Sequence, residues 1–549
     1  MQAKGSSGEV FKRAVQDIVK NFATTKNVNL ITNDKFLKNL TGQELKRELL
    51  NLEYHSINQD INTIIFKINN DLDTKIKGSN ELILISDFQN IKDIKFDSHN
   101  LYSLVQTQPI RTNNISIDSV YISNQNSENI TLNAVIKSYH SKADDVSISL
   151  YNGTVLEGKS NVSLNENDTK TTEFIINDTG DFNGRISIND TGLPFDDELF
   201  FSINARDNIN VLAIGDDNQF LEKIYSADEF IFNSTELSQL DYSQLNEQNL
   251  IVLNELETIP LSLVSGLSNF ISNSGSLTII PHTNSDVSAY NVLYNNLRLG
   301  SLGAKIDNTV AITTINFSHP LLKNVFEKQI KNFQYPTVNS YYKRILVNST
   351  SILSFENETP FVSQTKLQNG TVYSMAAAIS AQNSNFKNSP LIVPVFYNFG
   401  KLSYQHSEIN YTIGQKQEIE VKAALQKDDI LQISDNETSF IPLQQIGNAS
   451  VKINLSDQPL KSGFYQLKDK DKLIKNLAFN YDRKESDLGY SDVELLAKEH
   501  TNVNYFDSVQ LALDTLNNEY KTSSLWQLFL ALTILFLLVE IGLLKFLKP

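Results

Sequence analysis

Few side chains in this chain of 549 residues have a type and spacing that could support chemistry. The chain has no cysteine, which excludes disulfide bonds, thiolate metal sites and a cysteine nucleophile. The seven histidines are scattered without HxxxH or comparable metal-ligand spacing. They are His55, His99, His140, His282, His319, His406 and His500. The sequence therefore predicts no catalytic residue, no bound cofactor and no enzymatic activity.

Aspartates at three places are the remaining candidates for a cation site, because carboxylate oxygens suit Mg²⁺ and Ca²⁺. Asp87 directly follows an apolar strand. Acidic pairs stand at Asp144-Asp145 and at Asp196-Asp197, in turns of a β-rich segment. We expect both pairs to be solvated turns rather than metal sites.

Two strand ends are candidates for a ligand or nucleophile site, since open α/β sheets bind ligands at the carboxyl ends of their strands. Gly215 follows one such strand, but it belongs to no GxGxxG or GxxxxGK[ST] pattern and is interpreted as a turn. His282 follows another strand. A nucleophile there would need a cysteine or a GxSxG elbow, and neither is present. His282 is therefore interpreted as a polar loop residue.

The C-terminal end is an apolar run of about 20 residues, Leu525–Leu544, the length needed to cross a bilayer as a helix. Trp526 lies at one end, and Lys545 and Lys548 lie at the other, which predicts a cytoplasmic C-terminus. Glu540 lies inside the span, where a carboxylate is costly. Either it contacts a partner helix or it extends toward the interface beside the terminal lysines.

The net charge of −16 argues against nucleic acid as a partner, because phosphates require basic patches. Frequent Asn-X-Ser/Thr sequons are interpreted as a product of Asn-rich composition rather than as glycosylation sites. No signal peptide precedes the first helix. A chain with a C-terminal membrane helix but no signal peptide would keep its folded domains in the cytosol. The terminal lysines instead predict that these domains lie in the periplasm. We therefore expect the native chain to begin upstream of Met1.

Hydrophobic periodicity divides the chain into segments that alternate between α/β and β character. Alternating helices and strands predict mostly parallel sheets, and period-two strands predict antiparallel β-modules. The segments are an α/β domain (1–110), a β-sandwich module (111–206), a second α/β domain (207–402), a small β-module (403–490), a helical juxtamembrane segment (491–523) and a membrane helix (524–546). The predicted fold class is α/β plus β, multidomain.

Three short motifs carry a family resemblance: MQAKG at 1–5, ISDFQ at 85–89 and AFNYDR at 478–483. With the order of the segments, they resemble the BatA-like proteins of the Bat (Bacteroides aerotolerance) family of Bacteroidetes. That family has two N-terminal membrane helices, a von Willebrand factor A-like domain, β-modules, a glutamine-amidotransferase-like α/β domain and a final membrane helix. The resemblance thus implies a von Willebrand A-like domain that lacks its first strand here.

The resemblance also implies a metal-ion-dependent adhesion site, in which a DxSxS motif supplies the main Mg²⁺ ligands. That motif would lie upstream of Met1, and Asp87 and Ser56 would correspond to the later ligands. Without DxSxS we expect no bound metal. The family's partners would be a MoxR-type ATPase and other von Willebrand A membrane proteins.

We therefore expect a non-enzymatic inner-membrane protein with a periplasmic bulk, which acts in the cell envelope through protein–protein interaction. One alternative is that segment 207–402 binds a small ligand, as a sensor or a diverged hydrolase. Another is a secreted, adhesin-like surface protein.

Overall fold

The computed structural model describes residues 3–5, 8–22, 28–71, 81–91, 93–125, 129–177, 180–205, 207–322, 334–404, 408–423, 425, 429–447, 450–521 and 525–546. Within these ranges the protein is sheet-rich, mixed α/β and multidomain, as the sequence predicts. The chain forms two compact units. The discontinuous unit is Met1–Ala205 with Glu408–Pro549, and the continuous unit is Arg206–Ser407.

The N-terminal part of the discontinuous unit combines helices with short strands. Its elements are β1 (Lys4–Gly5), β2 (Gly8–Glu9), α1 (Val10–Asn21), β3 (Val28–Ile31), β4 (Phe36–Leu40), α2 (Gly42–Leu50), α3 (Ile61–Asp71), β5 (Glu81–Ser86) and β6 (Leu101–Gln106). Strands β5 and β6 are parallel, as expected for α/β alternation. Strand β3 does not join them, because it forms an antiparallel pair with β4.

A β-sandwich follows, where the sequence has period-two strands. Its strands are β7 (Asn114–Gln125), β8 (Asn129–Tyr139), β9 (Ala143–Asn152), β10 (Val155–Leu164), β11 (Thr169–Asn177), β12 (Phe182–Ser187) and β13 (Glu198–Ile203). They form two sheets, in the orders β11-β8-β7 and β10-β9-β12-β13. Apolar side chains on alternate positions, including Ile117, Leu132, Ile148 and Phe201, are fully buried in one core between the sheets.

The continuous unit is built on one nine-stranded sheet. Its elements are β14 (Ile209–Ile214), α4 (Gln219–Ile224), β15 (Phe230–Thr235), β16 (Leu250–Leu256), α5 (Leu261–Ser272), β17 (Ser276–Pro281), α6 (Val287–Asn296), β18 (Gly300–Ile315), β19 (Thr337–Leu346), β20 (Ser349–Phe355), β21 (Pro360–Lys366), β22 (Thr371–Met375) and α7 (Ile392–Lys401).

The strand order of this sheet is β15-β14-β16-β17-β22-β21-β20-β18-β19. The first five strands are parallel and the remaining pairs are antiparallel. Separate apolar cores involve α7 on one side and α5 with α6 on the other. The parallel strands are therefore buried on both faces, which explains their continuous apolar runs.

The rest of the discontinuous unit contains a second β-module and the C-terminal helices. Its elements are β23 (Tyr411–Thr412), β24 (Gln417–Lys422), β25 (Leu431–Ser434), β26 (Ser439–Phe440), β27 (Leu443–Ile446), β28 (Ser450–Leu455), β29 (Gly463–Asp469), β30 (Lys472–Asn480), α8 (Val493–Lys498), β31 (Val503–Phe506), α9 (Val509–Lys521) and α10 (Leu525–Phe546). The module's sheets, β23-β30-β29-β25-β26 and β24-β28-β27, share one core.

The prediction of a wholly helical segment over 491–523 is wrong at β31. This strand pairs in parallel with β6 and completes the sheet in the order β31-β6-β5. Val503 is buried against Tyr102 and Leu104 in the same core. The N-terminal α/β domain therefore extends beyond 1–110, because its third strand comes from the opposite end of the chain.

Arg483 connects the second β-module to the β-sandwich. Its guanidinium donates hydrogen bonds to three backbone carbonyls, those of Ile117 at 2.8 Å, Phe195 at 3.0 Å and Glu198 at 2.5 Å. Nearby, the Asn480 amide donates to the carbonyl of Phe200 at 2.8 Å. The planar guanidinium can satisfy several fixed acceptors at once, which an ammonium group on a flexible stem does poorly.

Replacing Arg483 with lysine is therefore expected to lower the free energy of unfolding of the discontinuous unit by about 3 kcal/mol, because buried carbonyls lose their donors. Thermal unfolding of the full chain in detergent measures this. Arg185→Lys is the control, since Arg185 pairs with Glu198 at a partly exposed site and should cost less than about 1 kcal/mol. Equal losses in the two variants would contradict this role of Arg483.

Candidate functional site

The parallel half of the nine-stranded sheet contains a topological switch point. The chain runs from β14 to β15 on one side and then to β16 on the other side of β14. A crevice forms outside the carboxyl ends of neighbouring strands where the order reverses in this way, and it is the usual ligand position in open α/β sheets. The candidate site is therefore built from the loops that follow β14, β16, β17 and β22.

The ends of β14 and β16 approach each other closely at Gly215. This residue has φ of +151°, and a Cβ atom there would lie 2.2 Å from the carbonyl oxygen of Asn254. Only glycine fits this contact. Asn254 is 3 % exposed, and its amide nitrogen donates to the Asp217 carbonyl at 2.6 Å and to Asn218 Oδ1 at 3.0 Å. Its side-chain oxygen has no partner among the described residues.

Glu255 is the most unusual residue at this edge. It has φ of +55°, a left-handed conformation that is costly for a residue with a Cβ, and it lies at a register shift between β16 and β17. Its carboxylate accepts the backbone N–H groups of Ile379 at 2.8 Å and Ser380 at 2.6 Å. Charge-assisted bonds of this kind offset the backbone strain and fix the loop after β22.

A charged pair lies at the same carboxyl edge of the sheet. Lys387 Nζ lies 2.8 Å from Asp217 Oδ2 and 4.4 Å from the centre of the Phe220 ring. The lysine side chain is only 18 % exposed, whereas the aspartate is 69 % exposed. The pair therefore neutralises a largely covered cation next to the loop after β22.

The sequence predicts that His282 is a polar loop residue at the carboxyl edge of this sheet. The structure places His282 in the loop after β17, with Nδ1 accepting the Asn284 N–H at 3.1 Å and Glu257 Oε1 3.9 Å away. The residue with the strained backbone at this edge is Glu255, on the neighbouring strand β16. A signal for it exists in the sequence, because Asn254 and Glu255 interrupt the apolar run of β16.

A small polar cavity of about 220 Å³ opens beside the loop that follows β22. One wall is the start of β19, and the other is formed by the loop itself. The lining residues are Thr337, Asn339, Ala381, Asn383, Ser384, Asn385 and Asn388. No lining side chain carries a charge, so the cavity offers amide and hydroxyl groups only.

In the discontinuous unit, Asp87 lies at the carboxyl end of β5 and is 7 % exposed. Its loop is held by the segment that follows β30. Gln89 donates to the carbonyls of Glu485 at 2.7 Å and Asp487 at 2.6 Å, and Gln106 donates to the carbonyl of Ser491 at 2.9 Å. The ISDFQ motif is therefore engaged in packing against the end of the second β-module.

The described surroundings of Asp87 do not supply a ligand set for Mg²⁺. The Ser86 hydroxyl donates to Asp87 Oδ1 at 3.3 Å, and the Ser56 hydroxyl is buried without a hydrogen-bond partner. Within the described ranges, no group of three or more His, Asp or Glu side chains could hold a metal ion.

Asp144 and Asp145 are exposed, as expected of a solvated pair, but they lie on strand β9 rather than in a turn. The expectation of a solvated pair fails for Asp196, which is fully buried. Asn114 explains the burial. Its amide donates to Asp196 Oδ2 at 2.7 Å and to the Ser486 carbonyl at 3.0 Å, so it ties the sandwich to the segment after β30.

Asp190, Asp196 and Asp197 form an acid cluster, and burial favours the neutral form of Asp196 and Asp197. Burial raises the pKa of Asp196 from 3.8 to about 6, although hydrogen bonds and the Arg483 charge oppose the change. Burial, followed by the charges of Asp196 and Asp190, raises the pKa of Asp197 from 3.8 to about 7. The folded chain therefore binds protons here more tightly than the unfolded chain.

Three of the four predicted membrane residues lie on α10. The structure has one helix, among the described residues, that is long and apolar enough to cross a membrane, with its most apolar part at Leu528–Lys545. Trp526, Glu540 and Lys545 are part of this helix. Lys548 lies outside the described residues. Glu540 and Lys545 are five positions apart, or about 7.5 Å along the helix axis.

Comparison with protein families and with curated proteins finds no match. Among solved structures, cytoplasmic protein STM3548 from Salmonella typhimurium is similar to 35 % of this chain over 98 % of its own, with 13 % identity and a TM-score of 0.28. A putative ThuA-like protein from Bacteroides uniformis covers 36 % of this chain and 91 % of its own, with 13 % identity and a TM-score of 0.25.

A β-galactosidase from Bacillus circulans sp. alkalophilus covers 45 % of this chain and 41 % of its own, with 7 % identity and a TM-score of 0.25. All three TM-scores are low. No property of these proteins is therefore transferred to this chain.

Replacing Glu255 with glutamine should loosen the loop after β22, because a neutral amide oxygen accepts the Ile379 and Ser380 N–H groups less strongly. Their hydrogen-exchange protection is expected to fall about tenfold. Asp217→Asn serves as the control, since it breaks only the exposed side of the Lys387 pair and should leave both amides protected. Unchanged protection in Glu255→Gln would show that the carboxylate does not hold the loop.

Stability of the sandwich should depend on pH through the acid cluster. Because the folded pKa of Asp197 is raised, the stability it contributes is full below about pH 4 and is lost as pH rises to about 7. Asp197→Asn should flatten this dependence and stabilise the unit at pH 8 by on the order of 1 kcal/mol. Protection factors of the Ile188 amide, which donates to the Asp197 carbonyl, measure the effect. A pH slope that survives the substitution would contradict the assignment.

Proposed function

We propose that this chain is a non-enzymatic, membrane-anchored protein of the bacterial cell envelope that acts through protein–protein interaction in a Bat-type system. The observation that carries the proposal is α10, an apolar helix of sufficient length that follows the folded parts of the chain. Its apolar side chains are exposed in the protein alone and require a lipid or protein environment.

The proposed orientation has the folded units in the periplasm and the C-terminus in the cytoplasm. Lys545 and Lys548 support it, because basic residues are retained on the cytoplasmic side of membrane helices. Glu540 would lie within about 8 Å of that side, at a depth where it can contact a partner helix or reach the interface.

Exposed strand edges support an interaction role. Strand β27 is an edge strand of the second β-module, and Leu443 on it is 73 % exposed. Ile441 and Ile446 beside it are also exposed. An edge strand with uncovered apolar side chains can pair with a strand of another protein through backbone hydrogen bonds.

The proposed domain identities follow the family resemblance. The parallel strands β5, β6 and β31, with Asp87 at one carboxyl end, support a von Willebrand A-like domain. The parallel strands β14 to β17 and β22 support an amidotransferase-like domain without its cysteine. The proposed partners are other von Willebrand A membrane proteins in the envelope and a MoxR-type ATPase.

A second candidate function is ligand binding by the continuous unit. The polar cavity favours it, because one of its walls is the loop that follows the carboxyl end of β22, a parallel strand of the open sheet. In this case the anchored protein would report the presence of a small molecule to its partners.

Single cysteines test the proposed topology without background, because the chain has none of its own. Asn369→Cys lies in an exposed turn of the continuous unit, and Lys548→Cys follows the membrane helix. With the outer membrane permeabilised, a membrane-impermeant maleimide should label Asn369→Cys but should label Lys548→Cys only after the inner membrane is broken. A chain that runs only from Met1 to Lys521, without α10, should leave the membrane fraction.

The opposite labelling pattern would show a cytosol-facing protein and would exclude the proposed orientation. Purification of the full chain from its native membrane should also recover a von Willebrand A membrane protein in stoichiometric amount. Recovery of the chain alone, under conditions that preserve other membrane complexes, would contradict the interaction role.

A further inference from the structure

The polar cavity has walls that are fixed by their own hydrogen bonds. Asn383 is 4 % exposed and is fully used: its oxygen accepts the Ser340 N–H at 2.9 Å and hydroxyl at 2.8 Å. Its nitrogen donates to the carbonyls of Ser340 and Ala378, both at 2.9 Å. This amide therefore helps to hold the loop after β22 against β19, together with the Ser384 hydroxyl, which donates to the Thr337 carbonyl at 2.7 Å. A ligand entering the cavity would meet a surface that is already organised.

Other lining groups remain available. Asn385 Oδ1 accepts the Thr337 N–H at 2.7 Å, which leaves the Asn385 amide nitrogen without a partner among the described residues. The side chain of Asn388 and the hydroxyl of Thr337 also have no hydrogen-bond partner within the described part of the chain. The cavity thus presents amide donors, an amide acceptor and a hydroxyl at one place.

The lining contains no charged side chain that would favour a charged occupant. The nearest lysine in the sequence, Lys387, is already paired with Asp217 at 2.8 Å. An anion would find no uncompensated cation, and a cation would find no carboxylate in the lining. Either would lose hydration without electrostatic gain.

We propose that this cavity binds a neutral polyhydroxylated ligand, a single pyranose unit of a saccharide, and this inference rests on the proposed ligand-binding role of the continuous unit. Each sugar hydroxyl both donates and accepts, as the amides of Asn385 and Asn388 require. The volume is about 220 Å³, below the roughly 300–1,000 Å³ of pockets for drug-sized ligands, so one ring fits. The lining contains no aromatic ring, so the affinity is weak and in the millimolar range.

Saturation-transfer NMR on the full chain, purified in a detergent without a sugar headgroup, tests the proposal. The probes are glucose and N-acetylglucosamine, compared with glucose 6-phosphate and glucosamine, which add a negative or a positive charge to the same ring. The neutral sugars should show saturation and the charged ones should show much less. Asn388→Ala, which removes unpartnered groups, should weaken the binding about fivefold.

Asn233→Ala is the matched control, because Asn233 is an exposed asparagine on β15 of the same unit. Neutral-sugar binding that Asn388→Ala leaves unchanged would overturn the site. Stronger binding of a charged sugar that depends on Asn388 would overturn the ligand class but keep the ligand-binding role. No binding of any probe at tens of millimolar would overturn the saccharide proposal. Thermal stabilisation of the continuous unit by a different class of molecule would then show that the ligand-binding role survives.

Discussion

The discontinuous unit depends on the burial of one guanidinium, that of Arg483. The cation donates to three carbonyls of the β-sandwich, and the buried carboxyl of Asp196 lies in the same region. Burying a positive charge is costly unless its donors are satisfied and a negative charge is near. The segment after β30 therefore docks in one position, and this docking in turn places its next residues against the loop that carries Asp87.

The continuous unit is organised around a different constraint, a strained polar pair at the end of a buried strand. Glu255 keeps a left-handed conformation because its carboxylate captures two backbone N–H groups of the loop after β22. Asn254 occupies the space beside Gly215 and bonds to the loop after β14. Polar contacts thus fix the loops at the carboxyl edge of the sheet, and the cavity beside this edge therefore has a defined shape.

The motifs that suggest a family resemblance prove to be contact residues in this structure. Ala3, from the first motif, is buried with Leu193 and Leu488, and Tyr490 packs beside them. Residues of the ISDFQ motif bond to the segment that follows the AFNYDR motif. These motifs can be identified in the sequence. The contacts between them cannot, because they join segments that lie far apart along the chain. The prediction of helix at β31 is wrong for the same reason, because these four residues form a strand by pairing with β6.

Local properties can be predicted from the sequence alone: the apolar helix at the C-terminus, the lack of thiol chemistry, the period-two strands of the β-modules and the continuous apolar strands of the α/β sheet. These follow from the chemistry and periodicity of neighbouring residues. The pairing of the strands, the burial of Asp196, the strained backbone at Glu255 and the position of the amide-lined cavity depend on the tertiary fold. Each of these depends on desolvation and hydrogen bonding between distant segments, and no local pattern encodes such contacts.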